Sequence, residues 1–111
     1  GSGIAGMTAG IYLKRGGLKT LIIEENTPGG QLNKINIIEN YPGFVKTDGP
    51  SLAAEIFNQV RNLDIEYLFD KVLGTDLENE YKKVITSSGE FLCKYLVIAT
   101  GRLSKKLFNN E

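Results

Sequence analysis

The chain opens on Gly1-Ser2-Gly3-Ile4-Ala5-Gly6, and this G-x-G-x-x-G spacing constrains the fold more than anything after it. The first glycine of such a turn permits a tight exit from a strand. The second lets the backbone approach a pyrophosphate, and the third lets the following helix lie close on a sheet. The helix start then offers free N–H groups and the positive end of its dipole to an anion. Gly1, Gly3 and Gly6, with Ile4 and Ala5 between them, are therefore candidate cofactor-binding residues. Glycine triplets also arise by chance as flexible turns holding no ligand, so the weight falls on the context. Gly1 is expected to be the first glycine of the turn rather than a natural start, with the strand before it absent. That strand is expected to be the central one, between the second and third strands of the sheet.

The context fits. Ile4, Ala5, Thr8, Ile11, Tyr12 and Arg15 recur at helical spacing, and Gly16-Gly17 supplies a C-terminal stop. Gly10 and Gly16 stand where alanine would favour the helix, at about 1 kcal/mol each if interior. Residues 19–23 form a short apolar run that ends at Glu24-Glu25, the pattern of a buried parallel strand with a polar tip. Glu24 lies eighteen residues past Gly6, where an acidic side chain accepts hydrogen bonds from ribose hydroxyls. A 2′-phosphate would be repelled there, so FAD or NAD is expected over NADP. Glu25 reads as exposed.

Asn26-Thr27-Pro28-Gly29-Gly30 is a turn by composition, and residues 31–49 form an irregular stretch too long to be an idle connection. Asp48-Gly49-Pro50-Ser51 is a helix start, with Asp or Ser able to cap. Leu52, Ile56, Val60 and Leu63 share one stripe, widened by Ala53 and Phe57, and the helix is expected to end near Asn62. Three strand-like runs follow, 66–73, 82–86 and 91–94, the last two joined at Ser87-Ser88-Gly89. Residues 95–101 read as a final buried strand, and residues 105–111 as a linker. The expected order is helix, strand, loop, helix, three-stranded meander, strand.

Composition narrows the function. Thirteen Lys and Arg against thirteen Asp and Glu give no electrostatic case for nucleic acid or an anionic membrane. No histidine means no Ser-His-Asp triad and no imidazole metal site, so no metal is expected. The single Cys93 forms no intrachain disulfide and reads as a small buried or half-buried side chain. No apolar run approaches the roughly 18 residues of a membrane span, and a cytoplasmic location is expected.

Pro28-Gly29-Gly30-Gln31-Leu32 and Glu39-Asn40-Tyr41-Pro42-Gly43-Phe44 carry the reading further. With Gly1–Gly6, Ile11-Tyr12 and Ile98-Ala99-Thr100-Gly101, they make the chain closely resemble the amino-terminal FAD-binding part of low-molecular-weight thioredoxin reductases. The resemblance covers essentially the whole chain in the family's order, and the GGQL and ENYPG pair is its specific part. It implies an α/β fold: a Rossmann-like FAD-binding domain with a parallel sheet and a small three-stranded meander, lacking its first strand. Residues 1–104 would be the partial FAD-binding domain, and residues 105–111 the start of a linker towards an absent NADPH-binding domain.

The resemblance implies site residues as well. Gly29 and Gly30 would bring main-chain N–H groups to the cofactor, and Gln31 and Leu32 complete that loop. Asn40 would lie beside the isoalloxazine ring, with Tyr41-Pro42 helping to wall it, and the backbone of Val72 would meet the adenine. Ala99, Thr100 and Gly101 would bring a strand end to the cofactor. Tyr12 and Phe44 read as ordinary core aromatics. In the complete enzyme NADPH reduces FAD, and electrons pass to a Cys-x-x-Cys disulfide and on to thioredoxin, in a homodimer. The chain holds no such cysteine pair, so no catalytic residue is expected in it, only cofactor-binding ones. Two rival readings stand beside this one. The first is a ferredoxin/flavodoxin–NADP reductase type, which shares GGQ. The second is a catalytically silent nucleotide-binding fragment.

Overall fold

A computed structural model describes residues 1–101, so the expected linker at 105–111 lies outside the described residues. The chain forms α1 (Ile4–Arg15), β1 (Leu21–Glu24), a 3₁₀ turn (Gly30–Lys34), α2 (Gly49–Asn62) and β2 (Glu66–Phe69). It continues through β3 (Val72–Asp76), β4 (Lys82–Thr86) and β5 (Gly89–Cys93). β1 and β2 pair in parallel, Leu21 opposite Glu66 through Glu24 opposite Phe69. The connection between them carries α2, as a parallel crossover must. β3, β4 and β5 make a separate antiparallel meander in that order.

α1 lies on β1 through a glycine. A methyl group at Gly10 would stand 2.9 Å from Ile22 Cδ1, so the position where alanine was expected is the close approach of helix to strand. Gly16 is the C-cap of α1 and lies outside the helix interior. α2 starts as its sequence indicates, with Asp48 as the cap. Its Oδ1 accepts from the Ser51 N–H at 2.8 Å, and its Oδ2 accepts from the Ser51 hydroxyl at 2.8 Å. The apolar stripe of α2 then buries Leu52, Ala53, Ile56 and Val60 against Met7, Ile22, Leu32, Ile38 and Ile65. Leu52 is 1% exposed, and Leu52→Ala should lower unfolding free energy by about 3 kcal/mol in urea denaturation. A loss under about 1 kcal/mol would mean that this cluster does not carry the fold.

Four expectations are corrected. The run 66–73 is two strands, not one: it breaks at Asp70-Lys71, and its first half joins β1 while its second opens the meander. Strand propensity reports a pleated surface, not which partner it meets. Second, β1 and β2 pair directly, so no strand lies between the second and third strands of the expected sheet. Third, residues 95–101 form no ladder, and Tyr95, Val97 and Ile98 are exposed, because among the described residues no strand pairs with them. An apolar run becomes a buried parallel strand only with neighbours to bond and helices to cover it. Fourth, Tyr12 is 74% exposed and Phe44 39%, so neither is a core aromatic; Phe44 meets the Tyr41 ring, and it is Tyr41 that packs on the core cluster.

The irregular stretch is closed by a bridge between Ile38 and Thr47, which makes the ENYPG segment a closed loop with Tyr41 turned onto the core. The two sheets are joined at Asp70. Its carboxylate accepts from the Lys71 N–H at 2.7 Å, from the Ser88 N–H at 3.2 Å, and from the Ser88 hydroxyl. Among the described residues, no helix is long and apolar enough to cross a membrane.

Candidate functional site

Three segments distant in sequence meet at the start of α1. Gly3 is its N-cap, in extended backbone, with no side-chain cap and no acidic residue in the first turn. The first N–H groups of a helix have no partner within it, so this end is left open to an anion. Among the described residues, a methyl group on Gly3 would meet no atom beyond its chain neighbours within 4 Å. The space over the turn is open.

The other glycines of the turn are packed. A methyl group on Gly1 would overlap the Ala99 carbonyl oxygen, and one on Gly6 would overlap the Gly1 carbonyl oxygen. The turn is thus seated between the tip of β1 and the Ala99 backbone. The second glycine motif closes in from another side. The Gly29 N–H donates to the Ser2 carbonyl at 2.7 Å, and Gly30 lies over Gly3, whose Cα would be 3.4 Å from a methyl group there. Gly29 and Gly30 have φ of 109° and 55°, a backbone region that favours glycine. Gly29 is also buried, with no room for a side chain beside the Ala53 Cβ.

Glu24 stands at the tip of β1. Its Oε1 accepts from the Ser2 N–H at 2.7 Å and from the Ser2 hydroxyl at 3.0 Å, and its Oε2 from the Asn26 N–H at 2.8 Å. Partial burial opposes ionisation, but those three donors outweigh it and hold the carboxyl below the usual glutamate value. Glu24 is therefore a fixed carboxylate at neutral pH.

The structure brings Gly1, Gly3, Ile4, Ala5, Gly6, Glu24, Gly29, Gly30 and Ala99 to one end of the α/β layer. Ala99 is half-buried there, and Thr100 and Gly101 are exposed. Gln31 is exposed beside them in the 3₁₀ turn, whereas the Leu32 side chain is buried in the core. Asn40 and Val72 stand apart: Asn40 is exposed in the loop closed by the Ile38–Thr47 bridge, and Val72 opens β3 opposite Thr86. Neither is hydrogen-bonded to the glycine turn.

Sequence reasoning missed Ser2 and Tyr67. Ser2 is fully buried, and its hydroxyl lies 2.7 Å from the Tyr67 phenol. Ser2 occupies a variable position of the glycine spacing, and Tyr67 falls in an ordinary strand run. Only the β1–β2 register brings the two together.

Comparison with known proteins gives the same picture. The model of the family described as pyridine nucleotide-disulphide oxidoreductase matches residues 1–110. The thioredoxin reductase of Bacillus subtilis is 38% identical over 107 residues, 96% of this chain and 34% of its own length. That of Ureaplasma parvum is 35% identical over 107 residues, 96% of this chain and 35% of its own. The crystal structure of Lactococcus lactis thioredoxin reductase in its FR conformation superposes with a TM-score of 0.93 at 42% identity. It covers 97% of this chain and 36% of that one. The chain spans about a third of the length of the relatives it matches.

Proposed function

Because the chain belongs to the pyridine nucleotide-disulphide oxidoreductase family, we propose that it is the FAD-binding portion of a thioredoxin-disulfide reductase. One observation carries the reading: the uncapped start of α1, the open space over Gly3, and Gly29-Gly30 all converge on one point beside a fixed carboxylate. FAD fits this arrangement. Its pyrophosphate would take the free N–H groups of the Gly3–Gly6 turn, and its adenosine ribose would donate to Glu24. Gln31 has an amide able to donate and accept towards a ribityl chain or flavin edge. Asn40, Tyr41 and Pro42 would flank the ring, Val72 the adenine, and Ala99, Thr100 and Gly101 would line the strand-end side. The flavin, when bound, supplies two-electron transfer that no side chain of this chain can perform.

Cys93 is the sole cysteine, so the disulfide chemistry belongs to other parts of the protein. In the whole enzyme NADPH would be the reductant, bound outside these residues, and thioredoxin the acceptor. A cytoplasmic homodimer is the assembly that goes with that activity. Relatives named thioredoxin reductase support this reading over a ferredoxin/flavodoxin–NADP reductase.

Adding FAD to the flavin-free protein that carries this chain should give a saturable visible flavin spectrum and NADPH-dependent reduction of thioredoxin. Absence of bound flavin would overturn the cofactor assignment. Flavin binding with NADPH oxidation but no disulfide reduction would retain the cofactor and overturn the substrate.

A further inference from the structure

We propose that Tyr67 is a positioning residue that sets how Glu24 meets a ribose, acting through the Ser2 hydroxyl. The proposal rests on the FAD-binding reading above. Tyr67 lies on β2, outside every motif of the site, and its ring is gripped by its neighbours. Phe57 of α2 meets it edge-on at 5.1 Å between ring centroids, and Phe69 does so at 5.2 Å. Such T-shaped pairs fix a ring in orientation as well as place. The phenol is thus aimed from the core cluster towards the glycine turn.

The hydrogens in this chain of oxygens can run only one way. An ionised carboxylate accepts and cannot donate. The Ser2 hydroxyl therefore gives its proton to Glu24 Oε1, at 3.0 Å, and its oxygen is left to accept from the Tyr67 phenol at 2.7 Å. Burial, with the negative charge of Glu24 adding to it, pushes the phenol further above its usual value, so it keeps its proton at neutral pH. Donation into Ser2 polarises the hydroxyl and strengthens its bond to the carboxylate. Removing the phenol oxygen leaves a buried hydroxyl with an unused acceptor and a looser rotor.

The lone-pair count gives the relay a consequence for recognition. A carboxylate offers about four acceptor sites. Ser2 takes two on Oε1 and Asn26 takes one on Oε2, leaving about one for an incoming hydroxyl. The direction of that remaining site follows from how Oε1 is held. Tyr67 thereby governs recognition of one ribose hydroxyl without touching the ligand.

The test uses ADP, 2′-deoxy-ADP and 3′-deoxy-ADP as probes, titrated calorimetrically into the flavin-free protein. Wild type should prefer ADP over one of the two deoxy forms. Tyr67→Phe, which keeps the ring stack, should reduce that preference by about threefold to tenfold, with deoxy-ADP affinity unchanged. Ser2→Ala should give the same loss, and the double variant no further one. If Tyr67→Phe weakens all three nucleotides equally, or leaves the preference intact while Glu24→Gln abolishes it, the positioning role is overturned. If Glu24→Gln itself leaves the preference intact, the ribose assignment of the site fails, and the role of Tyr67 fails with it.

Discussion

Gly6→Ala should weaken FAD binding by about tenfold or more, and it should also lower the melting temperature. A methyl group there overlaps the Gly1 carbonyl oxygen and stands 2.8 Å from the carbonyl carbon. Both obstacles are backbone, and alanine has no rotamer with which to avoid them. The first turn of α1 would have to lift off the glycine turn, carrying away the N–H groups that would hold the pyrophosphate. Gly3→Ala separates the ligand from the packing. Among the described residues no atom beyond its chain neighbours lies within 4 Å of a methyl group at Gly3, and its φ of −72° suits any residue. That variant should melt like wild type yet bind FAD more weakly, because only the cofactor would occupy the space. Flavin titration and circular dichroism melts on the two variants measure both effects. Wild-type FAD affinity in both would show that no pyrophosphate sits over this turn.

The second large effect is on folding. Gly49→Ala should lower unfolding free energy by about 4 kcal/mol, in the range reserved for a named structural conflict. Gly49 is the buried first residue of α2, and its N–H donates to the Ile35 carbonyl at 2.8 Å. A methyl group there overlaps the Leu32 carbonyl oxygen, and stands 2.7 Å from its carbon and 2.9 Å from the Ile35 oxygen. Relief requires α2 to retreat from the 3₁₀ turn, opening the contact among Leu32, Leu52 and Ala53. A domain of this size has roughly 5–15 kcal/mol in hand, so the variant should populate the unfolded state under mild denaturant. An unchanged urea midpoint would mean that the 3₁₀ turn yields freely and does not anchor the helix.

The parts of this architecture that could be read from sequence are those with a local cause. Asp48 before Gly49-Pro50 names its own helix start, and the Leu52–Ile56–Val60 stripe names its buried face. The glycine turn, β1 and the acidic tip at Glu24 likewise follow from spacing alone. What escaped depends on partners. Nothing within residues 66–73 indicates that Phe69 ends a parallel ladder and Val72 begins an antiparallel one. Tyr12 has the spacing of a core residue, but it falls beyond the face of α1 that meets β1. The Ser2–Tyr67 contact exists because β2 runs beside β1 in one register. A slip of one residue would put the phenol on the other face of the sheet.

Asp70 ties the meander to the layer that precedes it in the chain. The α/β layer and the meander share no ladder, and Phe69 and Val72 on either side of the joint are 61% and 45% exposed. The joint is spanned by the Asp70 carboxylate reaching the Ser88 turn and by the Ser87 N–H, which donates to the Lys71 carbonyl at 3.1 Å. The Ser88 hydroxyl, followed by the Thr86 hydroxyl and the N–H groups of Lys71 and Ser88, holds the Asp70 carboxyl far below the ordinary aspartate value of about 3.9. A depressed folded value means these hydrogen bonds contribute in full above that ordinary value and are lost only as pH falls through the lower one. The tie between Asp70 and the Ser88 turn thus persists throughout the neutral and mildly acidic range.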